Sequence, residues 1–395
     1  MRIPLKRGLR RLSRSRIVLT VLSAGLFYIY YLWHLAKLTP GLSPAESAAR
    51  ASTFSIHAVL KDPVGLPQKI FQLAVQKAGF HHAYSMRLPS VIIAFCILVL
   101  VFWLMRAWFG RTIGIAAALM FATTPLVILL SRSATSGVML LMPVAVLACY
   151  IRLSRHEKQP NLAWLILILV SAMAIYAPGV AWLLLGGTIV MYKRIFALTR
   201  AVSPAYKLIG FLSCLVILAP LVWGLVTNPT IYHELLAIPE RWARAEVVAK
   251  NIGWAALSVV WRATHTSDLL LGRLPIINAV QAIFMIFGAY VMWARARREV
   301  ISITATILFG IVIAGINNNL NFLALCLPGM ALLVGAGLRY LYIEWKTIFP
   351  RNPLPRSLAI LLVGSLVALQ MGYGFRYSLI AWPHAPATKQ LYVLK

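Results

Sequence analysis

Apolar positions gather into runs of roughly 17–25 residues, the length that carries a helix across a bilayer. Eleven such runs stand at 17–36, 88–107, 112–130, 134–153, 161–177, 179–198, 207–227, 275–294, 301–316, 322–343 and 357–375. Three turns between them are very short, at Ser131–Ser133, Tyr176–Gly179 and Ile316–Asn321. Two polar stretches are long instead, about Lys37–Arg87 and Asn228–Leu274. The pattern predicts an all-α polytopic membrane protein of about eleven transmembrane helices.

The first long stretch carries its own helix signals. Ser43 can cap a helix, Pro44 suits its first position, and Glu46 stands three residues after the cap. That helix is expected to reach about Leu60 and to stop at Asp62-Pro63, because a residue before proline avoids the helical basin. A second helix, about Leu66–Phe80, sets Gln68, Lys69, Gln72, Gln76 and Lys77 against Ile70, Phe71, Ala74, Val75 and Ala78. Such an amphipathic helix suits a membrane surface. In the other long stretch, Pro239-Glu240 predicts a helix start, and Trp242 an interfacial anchor.

Composition removes other classes. Of 395 residues, 61% are apolar and 12% charged, where a soluble domain is about half apolar and a quarter charged. The formal charge of +29 does not indicate nucleic acid, since the basic residues sit between apolar runs. Seven of them lie in Met1–Arg16, before an apolar core ending in Tyr28, Tyr30, Tyr31 and Trp33; this reads as a retained signal anchor. With the N-terminus inside, 23 of the 38 basic residues fall on inner segments, at roughly three times the outer density. This predicts a plasma-membrane protein with a cytoplasmic N-terminus and an external C-terminus.

The nine acids are then informative. Glu157, Glu299 and Glu344 fall inside, while Glu46, Asp62, Glu234, Glu240, Glu246 and Asp268 fall in the two outer loops. None lies within a span, which weighs against a flippase or ion-coupled transporter. Cys96, Cys149, Cys214 and Cys326 lie in different spans without metal spacing and read as buried free thiols. No nucleotide-binding fingerprint is present. His57, His81 and His82 have no spacing that enforces a metal site.

Several short motifs then line up. An anchor helix precedes Pro40-Gly41-Leu42-Ser43-Pro44 and an acid; Met86-Arg87-Leu88-Pro89-Ser90 follows at a span mouth. Phe109-Gly110-Arg111, Thr124-Pro125-Leu126 and Leu130-Ser131-Arg132-Ser133-Ala134-Thr135 come next. In order and spacing, residues 17–230 resemble the GT-C superfamily of membrane glycosyltransferases, in its dolichyl-phosphate-mannose–protein mannosyltransferase-like branch. Gly272-Arg273-Leu274-Pro275 and Phe349-Pro350-Arg351-Asn352-Pro353 are similar to divergent bacterial members. The resemblance divides the chain into a basic segment 1–16, a core 17–230 with loop 37–87, and a second half 231–395 with loop 228–274.

The resemblance implies inverting transfer of a sugar from a polyprenyl-phosphate donor to an envelope acceptor, which can be a lipid, a glycan or a protein. The acid opening the first loop would activate the acceptor hydroxyl. The family carries an Asp-Glu pair there; this chain has Ala45-Glu46, and Ser136-Gly137 where an Asp commonly follows the third span's turn. Glu46 is therefore read as either the base or the closing half of a capping box, and Asp62 as a second carboxylate or a helix stop. Arg132, Arg87 and Arg273 stand at span mouths, where they can contact lipid phosphate or snorkel to headgroups. Arg241 and Arg244 are candidates for a wall of the same site, or for a solvated helix. The reading requires no cofactor and leaves a divalent cation open. Expected partners are the lipid-linked donor, membrane lipids and an envelope acceptor, with no nucleic acid. The alternative is an inactive scaffold, or a binder of lipid-linked glycan, that kept the fold and lost the base.

Overall fold

The computed structural model describes residues 21–155, 160–262, 269–348 and 353–394. The basic segment 1–16, the start of the first run, Glu157, Asp268 and most of the Phe349–Pro353 motif lie outside the described residues. All named elements are helices: α1 (Val21–Leu32), α2 (Pro44–Ser52), α3 (Ile56–Lys61), α4 (Leu66–Lys77), α5 (Ala83–Phe109), α6 (Arg111–Ala122), α7 (Pro125–Arg132), α8 (Ser136–Arg155) and α9 (Pro160–Ala174). The second half adds α10 (Val180–Arg200), α11 (Pro204–Thr227), α12 (Ile231–Leu235), α13 (Ala245–Val260), α14 (Ala279–Arg295), α15 (Arg297–Ile316), α16 (Leu320–Ile348), α17 (Ser357–His384) and α18 (Pro386–Leu391).

Among the described residues each of the eleven apolar runs overlaps a helix, with run 112–130 divided between α6 and α7. Seven helices among the described residues are long and apolar enough to cross a membrane: α5, α8, α10, α11, α15, α16 and α17. An eighth is formed if α6 and α7 act as one span bent by 60°. The bend sits at Thr124-Pro125, where proline removes the backbone donor that a continuous helix requires. The apolar helices α1, α9 and α14 are shorter. The chain is a multi-pass membrane protein; seven or eight of its described helices meet the length and hydropathy of a span, and the expected count of eleven is not confirmed.

Burial sorts the spans. Every residue from Leu327 to Leu338 of α16 is buried, so α16 is the central post. Only Val180 of α10 is buried, while Leu185, Ile189 and Val190 are exposed, a surface suited to acyl chains rather than water. The cysteines are free, but Cys96 is exposed and Cys214 half-buried, which corrects the expectation that all four are buried.

The polar stretches gather at one end of the bundle, the loop face. Gly65 enters α4 with φ +70°, donates its N–H to the Tyr176 carbonyl at 2.9 Å, and would place a Cβ 2.3 Å from that of Ser136. Gly179 donates to Leu235 at 2.8 Å, and Asn317 Nδ2 to Ala237 at 2.8 Å. Tyr176 is fully buried and its hydroxyl donates to Ile217, so it is a core residue of the short turn at Tyr176–Gly179. Residues Pro239–Arg244 are not helical; α13 starts only at Ala245, which corrects the start read from Pro239-Glu240. Leu42 and Leu394 pair their backbones at 2.7 and 3.2 Å, so the tail after α18 returns to the first loop.

Candidate functional site

Two carboxylate–cation pairs organise the loop face. The first is built on the capping box foreseen at Ser43. Ser43 Oγ accepts from Glu46 N, and the Ser43 N–H donates to Glu46 Oε2, both at 3.2 Å. Arg87, on the first turns of α5, donates from Nε to Glu46 Oε1 at 3.0 Å and from Nη2 to Oε2 at 2.8 Å. The backbone N–H of Ala134 donates to Oε1 at 2.9 Å. Each Glu46 oxygen thus accepts two hydrogen bonds, which fills the acceptor capacity of a carboxylate.

Arg87 is equally occupied. Its Nη1 donates to Leu35 O at 3.0 Å, and its Nη2 also reaches Thr39 Oγ1 and Gly41 O at 3.0 and 3.1 Å. Its guanidinium lies 5.9 Å from the centre of the Tyr392 ring. Arg132, at the end of α7, donates to Tyr30 O at 3.1 Å and Trp33 O at 2.9 Å. Those carbonyls end α1, where helical partners run out, so Arg132 caps that helix. Glu46, Arg87 and Arg132 are all buried, and their contacts tie α1, α2, α5 and α7 together.

The second pair lies where the two long loops meet. Asp62 ends α3, as its place before Pro63 predicts. Lys69 Nζ donates to Asp62 Oδ2 at 2.5 Å and to Asp62 O at 2.8 Å. Side-chain exposure is 39% for Asp62 and 9% for Lys69. Glu234 joins from α12. Crowding by surrounding protein pushes its carboxyl above the usual range; the Asp62 charge adds to the shift and Lys69 opposes it. Glu234 still retains solvent contact, so the shift acts on a group that water partly screens.

Helix α4 explains how Lys69 arrives there. Gln68, Lys69, Gln72 and Gln76 of its polar side are buried, and only Lys77 of that side is exposed: Gln68 donates to Ser90 Oγ at 2.8 Å and Ala134 O at 2.9 Å, and Gln72 to Met86 O at 3.0 Å and Ala134 O at 2.6 Å. Ile70 and Phe71 face outward. The helix is amphipathic as expected, with its polar stripe forming a seam against α5 and the turn before α8.

The predicted site residues are therefore split. Glu46, Arg87 and Arg132 belong to one buried network, and Asp62 to an open one. Arg241, Arg244 and Arg273 are exposed and make no hydrogen bond or ion pair with either carboxylate. Among the described residues no group of three His, Cys, Asp or Glu could hold a metal ion. Lys69 and Glu234 were missed. The signals were present: Lys69 stands seven residues after Asp62, and Glu234 is a lone acid within Ile231–Leu236.

Comparison with known proteins places this geometry. Residues 69–223 match the model of the dolichyl-phosphate-mannose-protein mannosyltransferase family, a segment that includes Lys69, Arg87 and Arg132 but begins after Glu46 and Asp62. No curated protein matches the chain. Among solved structures, ArnT from Cupriavidus metallidurans bound to undecaprenyl phosphate is similar, with a TM-score of 0.60 and 14% identity over 94% of this chain and 77% of that one. The same protein in its apo state gives 0.52 and 13% over 96% and 78%. The chain accordingly has the all-helical GT-C fold of a multi-pass membrane protein, and its segment 69–223 is similar to the dolichyl-phosphate-mannose-protein mannosyltransferases.

Proposed function

We propose that the protein is a glycosyltransferase that moves a sugar from a polyprenyl-phosphate donor to an envelope acceptor at the outer membrane face. The observation that carries this reading is the fold shared with a protein crystallised with undecaprenyl phosphate, over nearly the whole chain. The density of basic residues on the opposite segments supports an external loop face.

The geometry supports Asp62 rather than Glu46 as the base. A general base needs a free lone pair within reach of the acceptor proton. All four acceptor positions of Glu46 are taken, whereas Asp62 is partly open and held in place by Lys69. In the proposed step the acceptor oxygen attacks the anomeric carbon from the face opposite the phosphate. The bond from that carbon to the phosphate oxygen breaks, its electron pair leaves on the polyprenyl phosphate, and the acceptor proton passes to Asp62. Glu46, Arg87 and Arg132 position the loop. The exposed Arg241, Arg244 and Arg273 remain candidates for contact with the lipid phosphate.

Purified protein in vesicles with labelled polyprenyl-phosphate sugars tests this. Wild-type turnover should fall on the order of a hundredfold or more in Asp62→Asn, the usual worth of a positioned base. Unchanged turnover in that variant would overturn the assignment. The second reading, a non-catalytic binder, is favoured by the saturation of Glu46 and by Ala45. Saturable donor binding without turnover for any donor would establish it.

A further inference from the structure

A second surface lies at the end of the bundle away from the loop face, where α14, α15 and α16 meet. Helices α14 and α16 approach so closely there that only glycine fits at the crossing. A Cβ on Gly288 would meet Leu333 O at 1.8 Å, and one on Gly337 would meet Phe284 O at 2.3 Å. This contact fixes the spacing of the helix ends beyond it.

Those ends carry ordered cations. The Arg295 guanidinium lies 5.4 Å from the Tyr340 ring centre, that of Arg297 lies 4.6 Å from Trp293, and Lys346 Nζ lies 4.4 Å from Tyr342. Exposed Arg298 and Arg339 stand beside them. The described acids in these segments are Glu299 and Glu344, and Glu344 approaches Arg295 only to 3.8 Å. Arg295, Arg297, Arg298 and Lys346 donate no hydrogen bond to any described residue. Ring contacts orient Arg295, Arg297 and Lys346 and leave N–H donors open to a ligand, an arrangement matched to phosphate oxygens.

The neighbouring surface selects the ligand further. Ile283, Ile286, Tyr290 and Trp293 recur at helical spacing along α14 and are 66%, 66%, 73% and 52% exposed. They form an apolar track that leads up to Arg295 and Arg297. A soluble polyanion would use the cations and leave the track bare, whereas a phospholipid uses both. We propose that the junction of α14, α15 and α16 binds one anionic phospholipid, its headgroup on Arg295, Arg297 and Lys346 and an acyl chain along α14. Basic pockets between transmembrane helices are suited to such headgroups.

Helix α10 supplies the control. Lys193 over Tyr192 at 5.9 Å and Arg200 over Phe196 at 4.3 Å repeat the chemistry on one helix, without a two-helix junction. The purified protein is titrated with phosphatidylglycerol, then with phosphatidylcholine, and bound lipid is counted by native mass spectrometry. Wild type should saturate with one phosphatidylglycerol. The Arg295→Gln/Arg297→Gln/Lys346→Gln variant should bind it on the order of a hundredfold more weakly, at about 1 kcal/mol per cation. Lys193→Gln/Arg200→Gln should stay within about twofold of wild type. All substituted side chains are exposed, so unfolding in phosphatidylcholine should be unchanged; if the triple variant fails to fold, Arg297→Gln alone should show about a fifth of the affinity. Equal losses in the junction and α10 variants would overturn the site in favour of general headgroup attraction. Retained binding in the junction variant, or full competition by free glycerol phosphate, would overturn the lipid assignment.

Discussion

Glu46–Arg87 and Asp62–Lys69 are the same chemical pair in two settings. Glu46 and Arg87 have side-chain exposures of 1% and 4%, and every carboxylate lone pair is used. Asp62 is 39% exposed and shares the loop junction with Glu234. A saturated buried pair determines where backbone segments sit; an open pair can exchange a proton with something that enters. Chemical type alone does not separate these roles. The number of donors already spent on each oxygen does.

The largest effect should come from breaking the buried pair on one side only. Arg87→Ala leaves the Glu46 carboxylate buried without its cation, and losing one partner of such a pair costs about 3–5 kcal/mol. The unfolding midpoint in membrane mimetic should fall sharply, or folded protein should disappear. Arg87→Ala/Glu46→Ala should be less damaging than the sum of the two single variants, because the stranded charge is gone. Additive losses would show that the bidentate contact carries no coupling.

The matching change at the open pair should be mild in stability and severe in turnover. Lys69→Met removes the partner of a carboxylate that water still reaches, so the loss of stability should be within about 1 kcal/mol. Donor turnover should nonetheless fall clearly if Asp62 depends on Lys69 for its placement. A large stability loss with unchanged turnover per folded molecule would reverse the two roles assigned to the pairs.

The sequence revealed much of this arrangement, for reasons visible at particular residues. The capping box at Ser43 and Glu46 is local, three residues apart, and forms as read. Asp62-Pro63 stops its helix for an equally local reason. Arg87 reads from the sequence as a span-mouth arginine that contacts lipid phosphate or snorkels to headgroups; its partner lies 41 residues away, and no spacing rule ties it to Glu46. Lys69 was assigned to a polar helix face, and polarity by itself does not tell water from a seam of buried carbonyls. Ser90 and Ala134, which receive Gln68, reach α4 only through tertiary packing. Glu234 depended on bringing together two loops separated by six apolar runs.

The smallest effect concerns Glu234 and tests whether the open pair is a three-charge cluster. Crowding first, and the Asp62 charge second, hold its carboxyl proton to higher pH in the folded protein than in the unfolded chain. Below the ordinary carboxylate pKa both states are protonated, and the residue costs nothing. As pH rises from that value towards the raised one, the unfolded chain loses the proton first and gains stability relative to the folded state. Folding stability should therefore decline through this window and stay lower above it. Glu234→Gln should flatten the decline and leave the protein slightly more stable near neutral pH, by less than the Lys69→Met loss because the group still meets water. Asp62→Asn should shrink the same slope only in part, since it removes the second cause of the shift and leaves the first. Unfolding midpoints measured from pH 4 to 8 in the three backgrounds would separate these slopes. An unchanged slope in Glu234→Gln would place Glu234 outside the cluster and leave Asp62–Lys69 as an isolated pair.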